Sequence, residues 1–587
     1  DAPWQLSFAQ ARLWFLEQLE GPSATYSMPA TLSLTGPLDH GALRSAARAL
    51  VQRQASLRCC FPSQNGEPKV VLLDPYDPLT ISDLSGLAGQ AAVDEAMRIS
   101  KAHATQPFEL AAGPLFRLHL LKLADDQHWL AFNMHHIISD GWSLDVLVRE
   151  FAELYRATRR AEPAQLANLP ISYADYAAWQ SAWLQDEHLE LQAAYWLDEL
   201  RDAPTLIELP ADRAYPAVRS YAGGLVDYAL KPEVVRQVRA FNRQHGTTDF
   251  MTLMAAFGTL LGRYTGQSDL LIGTPVANRR HRETDDLVGM FVNTVVMRHR
   301  TAGIEHFDAL VADVRRRALS AHAHQDLPFE TLVDRLQPER SLARSPLFQV
   351  MFVMHNTSAA SLAFETTVAQ LETAPIAVSK FDLTLYVEPS DDGLATRWEY
   401  NADIFDAARI ERMARHFEQL LDSATAHPSQ SLESLEFVTP LERAQLARWQ
   451  SGPTYRLGWE TLVSAFEQQV ERTPLAPALV GRSDSFDYAT VNGHANQLAH
   501  HLRSQGIGRG SLVGVCLPAE PRTVVTLLGI LKAGAAYLPI DPNYPRERIS
   551  RMLEGAAASL VVSNASFAER LPDNTPILRL DGAAEEL

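Results

Sequence analysis

Apolar residues recur at helical spacing almost from the start. Ala11, Trp14, Phe15 and Leu19 share one face, Ser7 precedes them as a candidate N-cap, and Gly21 follows as a stop. A second helix is predicted from Asp39 to Gln54, then a short strand over Leu57 to Phe61. Residues 115–123 and 128–136 read as two strands around the polar turn Asp125-Asp126-Gln127, and the second runs into Met134-His135-His136. A helix is predicted from Ser143, with Leu144, Leu147, Val148, Phe151, Leu154 and Tyr155 as its apolar stripe. A strand, a loop and a helix therefore bracket a pair of histidines.

Residues 159–170 are small, charged and Pro-containing, which suits a junction between lobes. A long helical stretch rich in Tyr and Trp is predicted from Tyr173 to Leu200, and strands alternate with helices as far as residue 425. Residues 426–460 hold His427-Pro428, Thr439-Pro440 and Gly452-Pro453 in polar filler. They read as an inter-domain linker with one short helix near 441–450. From 461 the pattern restarts: helix 462–472, a strand near Ala478, helix Tyr488 to Gln505, strand Leu512 to Leu517, helix 521–533 stopped by Gly534, and strand Ala536–Ile540. Strands and helices joined by short crossovers make an α/β unit.

With 587 residues, 46% hydrophobic and 21% charged, the chain has material for several cores, and wholesale disorder is excluded. The balance of 52 basic and 70 acidic residues, a net charge of −18, argues against nucleic-acid binding by bulk charge. The local basic cluster Arg279, Arg280 and Arg282 reads equally well as a solvated loop at its outer two positions. Three cysteines are too few for a disulfide framework, and Cys59, Cys60 and Cys516 read as buried free thiols. Nothing in the Cys and His spacing suggests zinc. No apolar run is long enough for a membrane helix, and the N-terminus lacks a signal-peptide pattern. The chain begins at Asp1 without a Met, which reads as a piece of something longer.

The sharpest chemical feature is His135-His136-Ile137-Ile138-Ser139-Asp140-Gly141. Adjacent residues at a strand end point to opposite faces, so one histidine can look into a cleft while the other faces the core. Gly141 permits a positive φ or a close approach by a ligand. A histidine near an aspartate is, in an arbitrary protein, more often a structural pair than a catalytic one. The seven-residue pattern, set between a strand and a helix, is far more specific.

At this point the chain resembles the condensation domains of nonribosomal peptide synthetases, whose central motif is His-His-x-x-x-Asp-Gly. The resemblance extends through Ser7-Phe-Ala-Gln10-Ala-Arg12-Leu-Trp14, Tyr173-Ala-Asp175-Tyr-Ala-Ala-Trp179 and Ile272-Gly273-Thr-Pro-Val-Ala-Asn278-Arg279. It continues in Val288-Gly289-Met-Phe-Val-Asn293-Thr294, His324-Gln325-Asp326-Leu-Pro328-Phe329-Glu330 and Arg344-Ser345-Pro346-Leu-Phe348-Gln349. Together these span residues 4 to about 430 in the family's order. One motif departs: where the family often has Arg-His-Glu-x-Leu-Arg, this chain has Arg53-Gln54-Ala55-Ser56-Leu57-Arg58. Beyond the linker, Phe486-Asp-Tyr488-Ala-Thr-Val-Asn492 and Leu531-Lys532-Ala-Gly534-Ala-Ala-Tyr537-Leu-Pro539-Ile-Asp541-Pro542 resemble the opening motifs of adenylation domains.

The resemblance implies an α/β fold of two chloramphenicol-acetyltransferase-like lobes in a V-shaped pseudo-dimer, followed by a partial α/β adenylation N-subdomain. The expected boundaries are 1–170 for the N-lobe, 171–430 for the C-lobe, 431–460 for the linker and 461–587 for the truncated adenylation domain. The implied reaction is amide-bond formation, in which the amine of an aminoacyl group attacks an acyl or peptidyl thioester. Both substrates would ride on phosphopantetheine arms of carrier proteins, an upstream donor and a downstream acceptor, with the adjoining adenylation domain as a further partner. No cofactor or metal bound by the domain itself is expected, nor nucleic acid or membrane, and the implied location is cytoplasmic. His136 is the expected catalytic residue, as a general base or as a group that orients the amine. His135 is expected to pack the loop, and Asp140 to turn from the cleft toward Arg279. Gly141, Trp142 and Ser143 are expected to line the substrate tunnel. The string Met-His-His-Ile-Ile-Ser-Asp-Gly-Trp-Ser resembles the subtype that joins an L donor to an L acceptor.

The resemblance also frames the rivals. An epimerisation domain of the same superfamily shares the histidine loop but does not usually run straight into an adenylation domain. A cyclising variant would carry aspartates in place of the histidine pair. A non-catalytic module that only docks carrier proteins is disfavoured by the intact His136, Asp140 and Gly141. The Ser/Thr/Gly-rich phosphate loop of adenylation domains does not occur before Leu587, so no adenylation is expected of this chain.

Overall fold

A computed structural model describes residues 4–581 except 88, 339–343, 356–361, 365–366, 373–377, 391–392, 457 and 483. The chain divides into two compact units, Asp1–Ala447 and Arg448–Leu587.

The first unit is built on two six-stranded sheets. The first sheet runs in the order 362–364, 367–372, 27–35, 127–135, 116–124, 79–83. Its central hairpin turns at Asp125-Asp126, as the polar interruption predicts. Helices His40–Arg53 and Gly141–Arg160 pack together against it, and Leu43, Leu50, Phe132, Leu147 and Phe151 meet in the core they share. The second sheet runs 293–300, 269–276, 350–354, 383–390, 393–401, 223–229. Its core centres on Phe257, Phe352, Trp398 and Phe417. Helix Asp249–Thr265 is buried at every position from Met251 to Leu261, so it reads as apolar all round.

Four expectations are corrected. Strands Leu362–Phe364 and Thr367–Glu372 belong to the first sheet, with Thr31 opposite Glu372, although the chain on either side belongs to the second. The lobes therefore do not divide at 170/171 alone: the chain crosses back and returns. The predicted strand over Leu57 to Phe61 is mostly a 3-10 turn, Ala55–Arg58, with only Cys59–Cys60 extended. The stretch from Tyr173 to Leu200 is two helices, Tyr173–Trp183 and Asp186–Glu199, parted at Leu184-Gln185 with Asp186 at a φ of 45°. The linker does not begin at 431. Leu432 and Leu435 are buried in the second core, and His416 Nε2 meets Glu442 Oε2 at 2.8 Å, holding the start of helix Pro440–Gln450.

In the second unit a four-stranded parallel sheet has the order 536–539, 512–516, 560–563, 577–579. Leu498, Leu502, Val513 and Ile530 pack on one face, and Cys516, Ile549, Leu553 and Val561 on the other. The inner strands, 512–516 and 560–563, are buried on both faces between crossover helices, which explains their continuous apolar runs. Cys59, Cys60 and Cys516 are all free and buried.

Candidate active site at the histidine loop

Strand Gln127–His135, in the interior of the first sheet, brings the two histidines to its C-terminal end, and a 3-10 turn, His136–Ile138, takes over at once. The pleat separates them. His135 is buried, and its Nδ1 accepts the Ile137 N–H at 3.1 Å. Gln10 Nε2 donates to the Ile137 carbonyl at 3.0 Å, so both polar groups of that residue are clamped from opposite sides. His136 donates its backbone N–H to the Tyr26 carbonyl at 2.8 Å and stays partly exposed. Its Nδ1 lies 2.8 Å from the Ser139 carbonyl. A carbonyl can only accept, so Nδ1 carries the proton and Nε2 keeps its lone pair. Burial, reinforced by the charge of Lys380, holds this imidazole down to about 3, so it is neutral at physiological pH.

The other end of the loop is a knot of hydrogen bonds. Asp140 caps helix Gly141–Arg160: its Oδ1 accepts the Ser143 N–H at 2.8 Å and the Ser143 hydroxyl at 2.7 Å. Arg279 Nη2 reaches the same oxygen at 3.3 Å, with both side chains 2% exposed. Asp140 Oδ2 accepts the N–H groups of Phe291 and Val292 at 3.0 and 3.2 Å. Arg279 also donates to the Thr284 and Leu287 carbonyls and lies 3.9 Å from the Phe291 ring centroid. The carboxylate is therefore helix cap and inter-lobe tie at once, two roles that sequence reasoning would set against each other.

Several motif residues converge on the same segment, 284–293. Tyr173 Oη donates to the Met290 carbonyl at 2.6 Å and lies 2.8 Å from the Ser7 hydroxyl. Its ring fills the space that a side chain at Gly289 would need. Gln54, where the family often has histidine, takes up an inter-lobe role of its own. Its Nε2 donates to Glu150 and to the Asp286 carbonyl, both at 2.9 Å, and its Oε1 accepts the Val288 N–H. Ser56 adds a bond to the Val288 carbonyl at 2.7 Å. The departing motif thus still fastens the two lobes, with different groups.

The three expected tunnel residues separate. Gly141 is exposed, and a Cβ there would meet nothing within 4 Å. Its φ is not in the positive region, so open space, not backbone freedom, distinguishes it. Trp142 is 47% exposed, with Nε1 donating to the Asp285 carbonyl at 3.0 Å. Ser143 is fully buried and bonded to Asp140, Arg279 and Gly289. It lines no open passage, which corrects the expectation made of it.

Sequence reasoning missed the groups that reach His136 from the second lobe. Lys380 acts electrostatically on both histidines, and Glu399 acts on Lys380. The Tyr386 hydroxyl donates to Glu399 Oε2 at 3.3 Å. These residues lie well over 200 positions beyond the histidine loop and outside every motif recognised above. Among the described residues, no group of three or more His, Cys, Asp or Glu side chains is arranged to hold a metal ion. No helix among them is long and apolar enough to cross a membrane.

Residues 3–447 match the condensation-domain family model and residues 466–586 the AMP-binding enzyme model. The chain is 42% identical to one of the linear gramicidin synthase subunits of Brevibacillus parabrevis, over all of this chain and 12% of that protein. It is 38% identical to a phosphinothricin tripeptide synthetase of Streptomyces viridochromogenes, over 99% of this chain and 54% of that one. The chain thus spans only part of these relatives. A four-domain nonribosomal peptide synthetase bound to AMP and glycine shares the fold with a TM-score of 0.83 at 22% identity, covering 99% of this chain and 45% of that one. The first condensation domain of the calcium-dependent antibiotic synthetase, in complex with a substrate analogue, shares it with a TM-score of 0.64 at 22% identity, covering 75% of this chain and all of that one. An X-domain from teicoplanin biosynthesis, in complex with OxyB, gives 0.67 at 25% identity, covering 75% and 97%. With most of its length matched by the family model and a relative 42% identical along its whole length, the chain belongs to the condensation-domain family of nonribosomal peptide synthetases and continues into the start of an AMP-binding domain.

Proposed function

We propose that the first unit joins two carrier-bound substrates by an amide bond. The amine of an aminoacyl thioester attacks the carbonyl of an upstream acyl or peptidyl thioester. The carbon–nitrogen bond forms, the carbon–sulfur bond breaks, and the proton lost by the amine ends on the departing thiol. The substrates ride on phosphopantetheine arms of a donor and an acceptor carrier protein, which with the adjoining adenylation domain are the partners of this unit. The L-to-L subtype and a cytoplasmic setting belong to the same reading.

The observation that carries it is the fixed tautomer of His136. With Nδ1–H spent on the Ser139 carbonyl, the Nε2 lone pair is free at a partly exposed edge. An α-amine has a pKa of about 7.7–8, so on the order of a tenth is already neutral at pH 7, and a thioester is already activated. An imidazole held down to about 3 is a poor store for a proton. His136 is therefore the catalytic residue by accepting a hydrogen bond from the amine and orienting it, while tethering supplies proximity. Asp140 and Arg279 hold the loop, His135 packs beneath it, and Gly141 and Trp142 border the passage.

The test is single-turnover product formation by the full chain with one donor-loaded and one acceptor-loaded carrier protein, read by mass spectrometry. Product from the wild type, slowed about 100-fold or more in His136→Ala, supports the reading. Carrier binding without product from the wild type would make the unit a docking module.

A further inference from the structure

Lys380 lies in the bend before strand Leu383–Ser390 of the second sheet, and hydrogen bonds and a close backbone contact hold its main chain. Arg219 donates to the Lys380 carbonyl at 2.7 Å and to the Ser379 carbonyl at 3.2 Å. The Ser379 N–H reaches the Tyr221 carbonyl at 2.9 Å. Gly223 lets its strand press against this bend, since a Cβ there would lie 2.7 and 2.8 Å from backbone atoms of Val378 and Ser379.

From this clamp the side chain crosses to the first lobe. Its Nζ stands 5.0 Å from the Tyr26 ring centroid. Tyr26 is also the residue whose carbonyl holds the His136 N–H. One residue thus holds the His136 backbone through its carbonyl and faces the ammonium with its ring. The charged and titratable groups around Lys380 are His135 and His136 from the loop, Arg12 from helix Phe8–Glu20, and Glu399, with Tyr386 behind it, from the second sheet. Arg219 lies under its backbone. Arg12 and the burial disfavour the ammonium, and only Glu399 favours it. An apolar side chain would pack there without that cost, so packing alone does not account for a lysine.

We propose that Lys380 is a further catalytic residue of this site, whose ammonium hydrogen-bonds the donor thioester oxygen as attack turns it into an oxyanion. This rests on the condensation reading. As the carbon–nitrogen bond forms, the carbonyl electron pair moves onto oxygen. On collapse it returns and the carbon–sulfur bond breaks, while the ammonium keeps its proton throughout. Such a donor is worth most in a site screened from water. Burial brings Lys380 down to about 8, so rising pH should remove the cation, and activity should fall, just above the range where the substrate amine becomes neutral.

The test is single-turnover dipeptide formation by the full chain from pH 6 to 10, with loaded donor and acceptor carriers, for the wild type, Lys380→Met, Lys380→Arg and His136→Ala. Thermal unfolding is followed in parallel. Lys380→Met should lose about 100- to 1000-fold in rate, the loss typical of one oxyanion donor. Lys380→Arg should stay within about tenfold of the wild type and lose the alkaline limb near pH 8, because a guanidinium does not titrate there. If Lys380→Met is unstable, the Lys380→Arg profile decides. Wild-type rates in Lys380→Met, or an unchanged alkaline limb in Lys380→Arg, would overturn this inference alone, provided His136→Ala is slow. No product from the wild type would overturn the condensation reading and this inference with it.

Discussion

Asp140 and His136 stand four residues apart on one loop and are treated in opposite ways. The Asp140 carboxylate is surrounded by donors from a helix N-terminus, a buried arginine and two backbone amides. The His136 ring spends one nitrogen on its own turn and leaves the other open. A fully satisfied buried group gives rigidity, and an incompletely satisfied one is available for chemistry. The loop is thus anchored at one end and open at the other, where the proposed reading puts the chemistry, and the anchor lets the open end be held by few contacts.

That division predicts the largest effect. Asp140→Ala should destabilise the first unit by about 3–5 kcal/mol, because it strands a buried guanidinium and uncaps a helix. His136→Ala should change stability by less than about 1 kcal/mol while nearly abolishing product formation. Urea denaturation of both variants, beside single-turnover rates, measures the contrast. The structure also sharpens the coupling expected between Asp140 and Arg279. Asp140 serves four other donors, so Arg279→Gln should cost less than Asp140→Asn. The double variant should cost less than the sum, yet not return to the level of Arg279→Gln. Equal single costs would mean that the ion pair, not the cap, dominates.

The buried face of the histidine pair responds to pH. Behind the loop, His135 Nε2 lies 3.9 Å from Glu17, and both side chains are buried. Burial lowers His135 to about 3 and raises Glu17 to about 7. A buried neutral histidine binds fewer protons than in the unfolded chain, so it removes stability as pH falls below about 6.5. Glu17 does the reverse. Its folded pKa lies above the unfolded value of 4.5, so its contribution is fully present below 4.5 and is lost as pH rises to about 7. The two slopes oppose each other between about pH 6.5 and 4.5. Glu17→Gln should uncover the histidine slope, making acid destabilisation steeper by up to about 1.4 kcal/mol per pH unit. Urea midpoints at pH 7, 6 and 5 measure it, and parallel slopes in the two proteins would remove Glu17 from the account.

What the sequence made legible followed from local rules. Ser7 caps its helix as its side chain suggests, the helix predicted from Asp39 starts with that residue as its cap, and the Asp125-Asp126 turn joins the strands that carry the histidines. The misreadings share a different cause. The pairing of 367–372 with 27–35 joins residues more than 330 positions apart, and no local pattern announces it. Lys380 approaches His136 by the same kind of long return. Ser143 follows Gly141 and Trp142 along one motif, yet helical geometry turns it inward while they face out. Gln54 breaks a familiar motif and still ties the lobes, because the amide supplies both a donor and an acceptor.

Two glycines of the site give the remaining contrast. Gly289 is pressed by the Tyr173 ring, and a methyl group there would overlap it. Gly289→Ala should displace Tyr173 from its bonds to Ser7 and Met290 and cost about 1–3 kcal/mol, as overpacking usually does. A Tyr173→Phe background should reduce that cost little, because the clash lies with the ring and not the hydroxyl.

Gly141 is the opposite case, and its predicted effect is the smallest. A Cβ there meets only open space, and the backbone is not in the left-handed region, so Gly141→Ala should change stability by less than about 0.5 kcal/mol. A glycine replaced by alanine at a compatible helix start restricts the unfolded chain, which can even tip the sign toward stabilisation. On the proposed reading, a methyl group there narrows the space through which substrates reach His136. Alanine at 141 should therefore slow product formation modestly, and Gly141→Val more, with unfolding midpoints nearly equal. The ratio of the two rates, measured with one donor–acceptor pair, is the readout. If both variants condense at the wild-type rate, the space beside Gly141 is solvent-facing surface, and the passage to His136 runs along the Trp142 side or from the second lobe.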